Sequence, residues 1–149
     1  MGDATFYERV NIGDEIPSLE KQAILDGYRL PEIFGEIAFT GEEGEARREA
    51  ERLGVDAIHT SKIFGGVYLL QFVSEMITNW LPYPKGWVQG SRLFAKFIGQ
   101  VKFNETVICK GKITGKLSEK DKEFLVCDIW VENAHGNRVV IGEIHIRCE

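Results

Sequence analysis

Three histidines supply the imidazoles of this 149-residue chain, and their settings differ. His59 stands just ahead of a long apolar run, His135 lies among turn residues, and His145 belongs to an alternating terminal stretch. An imidazole titrates closest to neutral pH, which suits it to proton transfer. Asp56 precedes His59 in the same short segment. Thr60 and Ser61 follow it, with side-chain oxygens that suit the capping of a helix start. Gly65-Gly66 falls inside the apolar run. Read as part of a helix, each glycine costs up to about 1 kcal/mol relative to alanine. In return it admits the close approach of a neighbouring backbone. His135 and His145 read more simply as a turn residue and a strand residue.

Other site chemistries find little support. Cys109, Cys127 and Cys148 are an odd set without metal-ligand or redox-motif spacing, and read as small apolar strand residues. They point to a reducing, cytoplasmic setting. There is no glycine-rich phosphate loop, no paired-His zinc spacing and no nucleophile elbow. Trp80, Trp87 and Trp130 read as core or interface residues.

The elements that must position these residues follow from pattern. The run Ile63–Trp80 places Ile63, Val67, Leu70 and Ile77 on one helical stripe, with Phe64, Tyr68, Phe72, Val73, Met76 and Trp80 around the rest. A helix apolar nearly all round is expected to be buried nearly all round. Pro82 and Pro84 end it. After it the chain is strand-like: Ser91–Gly99, Thr106–Thr114, Phe124–Glu132 and Arg138–Cys148, with a hairpin turn at 133–137. Leu125, Cys127, Ile129 and Val131 share one strand face. Before the helix, residues 1–30 read as an edge element with a turn at Gly13-Asp14, and Tyr28–Phe39 as a short helix or two pieces. The charged stretch Thr40–Gly54 suits an exposed helix. These elements predict one α+β domain over residues 1–149, a long helix wrapped by a curved antiparallel sheet.

Composition agrees. An apolar fraction of 44% and a charged fraction of 28% are those of a globular domain. A formal net charge of −5 argues against nucleic acid as a partner. Met1–Glu8 lacks the pattern of a secretory leader. No segment reaches the roughly 18 uninterrupted apolar residues of a membrane span.

Several stretches together resemble the MaoC-like acyl dehydratases and (R)-specific enoyl-CoA hydratases, which are hot-dog-fold proteins. They are Gly90–Phe97, Val101–Val107, Gly111–Lys116, Ile129–Asn133 with Gly136, Val139, Val140 and Gly142, and the opening turn Val10–Pro17. The resemblance implies reversible addition of water to a 2-enoyl thioester, on coenzyme A or an acyl carrier, as in fatty-acid metabolism. The chain is then an enoyl-CoA hydratase or 3-hydroxyacyl dehydratase, a lyase needing no metal or redox cofactor. In that family an Asp and a His on one short Asp, Asn-Pro, His segment hold and activate the water. A backbone N–H at the start of the central helix polarises the thioester carbonyl, consistent with the positive end of a helix.

This chain departs from the family segment, and two registers compete. In one, Asp56-Ala57-Ile58-His59 takes the place of Asn-Pro-apolar-His, and the family Asp position is Gly54. Asp56 then substitutes for it beside His59. In the other, which keeps helix length and strand spacing natural, His59 lies at the helix entrance near the oxyanion donor. The acid then falls to Glu42. Both registers put His59 at the mouth of the helix as the expected acid–base residue, with Asp56 or Glu42 assisting. Thr60, Ser61, Gly65 and Gly66 are the expected substrate-binding residues. The incomplete segment keeps two alternatives open. One is a non-catalytic hot-dog subunit that binds acyl thioesters or completes a related partner's site. The other is an acyl-CoA thioesterase. An exposed sheet edge implies a homodimer or larger assembly, or a heterodimer with a related subunit. Neither nucleic acid nor a membrane is expected as a partner.

Overall fold

A computed structural model of the protein describes residues 2–23, 63–64, 66–83, 85–102 and 104–148. The expected elements at Tyr28–Phe39 and Thr40–Gly54 lie outside the described residues. The described chain runs α1 (Phe6–Arg9), β1 (Glu15–Gln22), β2 (Ile63–Phe64), α2 (Gly66–Trp80), α3 (Lys85–Val88), β3 (Arg92–Phe97), β4 (Val101–Lys102), β5 (Thr106–Glu119), β6 (Lys122–Glu132) and β7 (Arg138–Cys148).

Five strands form one sheet in the order β1-β5-β6-β7-β3, with every neighbouring pair antiparallel. Its heart is the meander β5-β6-β7. The expected strands are all present, but β5 and β6 run further than their apolar alternation, meeting in a tight hairpin at Lys120-Asp121. Both turn residues have positive φ (51° and 61°) without being glycine. Such a backbone costs an L-residue roughly 1–2 kcal/mol, and hairpin turns of this hand favour Asn-Gly. The second hairpin is better matched to its turn. Gly136 carries the positive φ of 78°, and Asn133 Oδ1 accepts from the backbone N–H groups of His135 and Asn137, each at 3.0 Å.

Strand alternation divides the sheet into two faces. Val107, Cys109 and Ile113 on β5, Leu125, Cys127, Ile129 and Val131 on β6, and Val140, Ile144 and Ile146 on β7 are buried. The first three β6 residues and Val131 are those expected to share a face. Against this surface lies α2, through Leu69, Phe72, Val73, Met76 and Ile77. Spacing of three and four residues puts all five on one stripe. Each such side chain contributes about 2 kcal/mol by leaving water.

The helix differs from its expected form in two ways. Ile63 and Phe64 are not its first turn. They form β2, paired antiparallel with Lys102 and Val101, because a β-branched and an aromatic residue suit a short ladder as well as a helix. Nor is the helix buried all round. Gln71, Thr78 and Asn79 are exposed and Leu70 is only half-buried, so the buried stripe is centred one residue away from the expected one. Gln71, Thr78 and Asn79 lie on the side away from the sheet.

Two glycines set the spacing of the layers. A Cβ on Gly111 would stand 2.9 Å from Ile16 Cδ1 and 3.4 Å from Met76 Cε, where β1 and α2 converge on β5. A Cβ on Gly142 would collide with the Phe94 carbonyl oxygen, where β3 pairs with β7. The sheet edges are handled differently. Edge strand β1 contains Pro17 inside a register shift between Ile16 and Leu19, a position proline tolerates. It is also tied to α2 by Lys21 Nζ, 3.1 Å from Glu75 Oε2. Trp87 fastens α3 to α2 by donating from Nε1 to Ser74 Oγ at 3.2 Å. Edge strand β3 has no further strand beside it among the described residues, and Phe94 (58%), Phe97 (46%) and Ile98 (48%) are exposed on or beside it.

Gly142→Ala is expected to destabilise the protein by about 1–3 kcal/mol, since the obstacle is backbone. Asp121→Gly is expected to raise stability by about 1 kcal/mol through relief of the strained turn. Denaturant unfolding midpoints of the two variants check both signs, and an Asp121→Gly midpoint at or below that of the parent contradicts the second.

Candidate active site at the mouth of the helix

Three short pieces build the entrance to α2. Strand β3 ends at Phe97, and Ile98 and Gly99 donate their backbone N–H groups to the Val139 carbonyl at 2.9 and 3.1 Å. This turns the chain into β4, whose Val101 is fully buried. β4 pairs with β2, and β2 stands directly before α2. The helix therefore starts from a strand held at one end of β3. Gly66 is its first residue, so this glycine opens the helix, whereas the sequence pattern put it inside one. The first N–H groups of a helix have no partner within it and carry the positive end of its dipole. No acidic side chain occupies the first turn of α2 to offset that charge. Chemically, such an end stabilises an oxygen that gains negative charge.

Of the expected site residues, Gly66 alone is among those described. His59, Asp56, Glu42, Thr60, Ser61 and Gly65 lie outside the described residues. His135 occupies the hairpin, with its backbone N–H on Asn133 Oδ1 and its side chain exposed. His145 has a partner that its place in the sequence does not announce. Its Nε2 lies 2.6 Å from Glu143 Oε1, and its ring meets Phe94 edge-on with centroids 6.0 Å apart. His145 and Glu143 share a face because they are two residues apart on β7, and that face is the one turned away from α2. The pair therefore lies on the far side of the sheet from the mouth of the helix.

The same outer face carries a shallow depression of about 790 Å³ lined by Phe94, Lys96, Lys112, Asp128, Trp130 and Glu143. Trp130 is covered there by Arg138, whose guanidinium carbon lies 4.5 Å from the ring centroid. This depression is separated by the sheet from the helix, so it belongs to different chemistry from the helix mouth.

The three cysteines are free. Burial raises the Cys109 thiol to about 12, reinforced by the charge of Glu75 and opposed by that of Lys21. Burial likewise raises Cys127 to about 12 and Cys148 to about 11. A thiol so protonated is neither a nucleophile nor a metal ligand. Among the described residues no group of three His, Cys, Asp or Glu side chains could hold a metal ion, and no helix is long and apolar enough to cross a membrane.

No family model matches the chain, and no curated protein matches it by sequence. Solved structures do. The (R)-hydratase PhaJ1 from Pseudomonas aeruginosa is similar with a TM-score of 0.60 at 20% identity, over 94% of this chain and 83% of that one. A MaoC-like dehydratase from Rhodospirillum rubrum gives 0.60 at 14% identity, over 99% of both chains. The ChsH1-ChsH2 complex from Mycobacterium tuberculosis gives 0.56 at 13% identity, over 93% of this chain and 98% of that one. The described sheet and helix, with these likenesses over nearly the full length, define the hot-dog fold. It is the fold of the (R)-hydratases and MaoC-like dehydratases, as the strand-region resemblance implies.

The raised thiols make a linkage prediction. A folded-state pKa above the unfolded value near 9.0 means the native state holds the proton more tightly. That contribution is complete below about pH 9 and is lost as pH rises towards 12. Unfolding midpoints are expected to fall above about pH 9, and less steeply in a Cys127→Val variant. An identical pH dependence in the two proteins would remove Cys127 as a source.

Proposed function

We propose that the protein is a hydratase or dehydratase of 2-enoyl thioesters. The observation that carries this reading is the full-length likeness to an (R)-hydratase and a MaoC-like dehydratase. The entrance of α2 supports it. An apolar helix begins at a glycine, without acidic side chains in its first turn, beside a strand that leads from the open sheet edge. Hydration of an enoyl thioester places negative charge on the thioester oxygen, and a helix end favours that charge. It also needs a base for the incoming water. We assign that role to His59, assisted by Asp56 or Glu42, with Thr60, Ser61, Gly65 and Gly66 lining the substrate. Substrate binding itself supplies the only carrier group required, coenzyme A or an acyl carrier.

The working unit of this reading is a dimer. Among the described residues β3 is an edge strand, and Phe94, Phe97 and Ile98 expose apolar surface along it. Pairing two copies through β3 removes that liability. A second reading, in which the chain completes a related partner's site, is favoured by one finding: the similar Mycobacterium tuberculosis structure is a complex of two chains, ChsH1 and ChsH2.

Purified protein is expected to consume the enoyl absorbance of a short 2-enoyl-CoA. His59→Ala is expected to lower kcat by about 10²–10⁴-fold, the usual contribution of a general base. Absence of turnover at every pH tested, by a protein shown to be folded, would overturn the hydratase reading in favour of the partner subunit. Release of free thiol from acyl-CoA would point to thioester hydrolysis instead.

A further inference from the structure

Strand register gathers cations on the outer face of the sheet, at the end where β5 turns into β6. Arg147 stands opposite Phe124 in the ladder, and Lys122 lies two residues before Phe124 on the same strand. Arg92 stands opposite His145, two residues from Arg147. Alternation puts these three side chains on one face. With Lys120 of the turn they line a cleft of about 400 Å³ between the β5-β6 hairpin, the start of β3 and the end of β7. Glu119 is the one carboxylate in its lining among the described residues. It faces Lys122 across the ladder, yet the two form no ion pair. None of the four cations has an ion-pair partner among the described residues, whereas Lys21 and Lys110 are held by Glu75 and Glu132. Such a gathering is unexpected in a chain of net charge −5. Its mutual repulsion is relieved when an anion enters.

One of the cations is fixed in advance. Gly90 has φ +100°, and a Cβ there would stand 2.9 Å from Arg147 Cδ and 3.3 Å from its Nη1. The Arg147 side chain is thus seated against bare backbone. Its Nη1 donates to the Gln89 carbonyl at 3.3 Å, and its backbone N–H donates to Ser91 Oγ at 3.0 Å. The remaining guanidinium donors take no partner among the described residues. Arg92, Lys120 and Lys122 are exposed around this half-buried anchor. The aromatic ring in the lining is that of Phe124, which is buried. The cleft therefore offers charge and hydrogen-bond donors, and no open ring on which a base could stack.

We propose that this cleft is an effector site for a diphosphate group, either inorganic diphosphate or the end of a diphosphate ester, and that it recognises the phosphates alone. Four cations against one carboxylate leave three positive charges in the lining. One phosphate carries about 1.5 to 2 negative charges at neutral pH, which leaves part of that surplus standing, whereas two adjoining phosphates match it. A guanidinium held at one edge suits a phosphate with two parallel donors, and ammonium groups add charge without a fixed direction. The sheet separates this cleft from the mouth of α2, so its occupant takes no part in chemistry there, and the site stands apart from the enoyl-thioester reading. What the occupant does is structural. It joins the hairpin, β3 and β7 through their side chains, and a ligand bound to the native state alone stabilises it.

Calorimetric titration of the full-length protein with inorganic diphosphate is expected to show binding that weakens with salt, and thermal unfolding is expected to shift upward in its presence. Inorganic phosphate should bind at least tenfold more weakly. ADP should bind within about threefold of diphosphate, since the cleft has no place for its base. Two variants with the same loss of charge locate the site. Arg92→Gln/Lys122→Gln alters exposed side chains of the cleft and should weaken diphosphate at least tenfold and remove the thermal shift. Lys96→Gln/Lys112→Gln alters the other depression of the outer face and should change binding less than twofold. No binding of diphosphate by the parent, or an equal loss in the two variants, overturns the proposal. So does inorganic phosphate binding as tightly as diphosphate, or ADP binding tenfold more tightly than it.

Discussion

One contact organises this protein: the buried stripe of α2 on the inner face of the sheet, where it lies against β1, β5 and β6. Leu69, Phe72, Val73, Met76 and Ile77 share one core with Ile16, Cys109, Ile113, Leu125, Cys127 and Ile129. Neither layer survives alone in water, since each presents a continuous apolar face. Their fit depends on what is missing as much as on what is present. Gly111 leaves room for Met76 and Ile16, and Gly142 lets β3 close against β7. Burial of Cys109 and Cys127 in the same layer is what silences their thiols.

The same packing fixes where chemistry can occur. Because α2 lies on the sheet, its entrance is held where β3, β4 and β2 succeed one another at one end of the molecule. A helix end held in this way presents the positive end of its dipole in a constant place, which is what an oxygen gaining charge requires. Both faces of the sheet are thereby assigned. The inner face is spent on the core, and the outer face carries ionic groups: the His145–Glu143 contact, Arg138 over Trp130, and Arg92, Lys122 and Arg147 near the hairpin end.

Strand β3 links these regions. Among the described residues it is an edge strand, it carries exposed phenylalanines, and it runs from Arg92 beside the β5-β6 hairpin to Phe97 near the mouth of the helix. Edge strand β1 is protected by Pro17 and its register shift, whereas β3 has no such device among the described residues. That asymmetry leaves β3 the less protected of the two edges among the described residues.

The amino-acid sequence by itself determined the long helix, the strands that follow it and their order. Period-two alternation in Phe124–Glu132 and Arg138–Cys148, the turn residues at 133–137, and the proline-terminated apolar run each encode a local structure that packing did not overturn. Tertiary structure decided what local pattern leaves degenerate. Ile63 and Phe64 fit helix or strand alike, and pairing with Val101 and Lys102 makes them a strand. An apolar run with hydrophobic residues on most sides does not say which side is buried; the sheet selects Leu69 and its stripe. His59, Asp56 and Glu42 stand out by type and by family resemblance, and their geometry lies beyond the described residues. The contact between His145 and Glu143, and the gathering of Arg92, Lys120, Lys122 and Arg147, involve strands far apart in the chain or side chains whose meeting depends on the sheet. No spacing rule brings such residues together, because their proximity is a property of strand register and of the order in which strands pair.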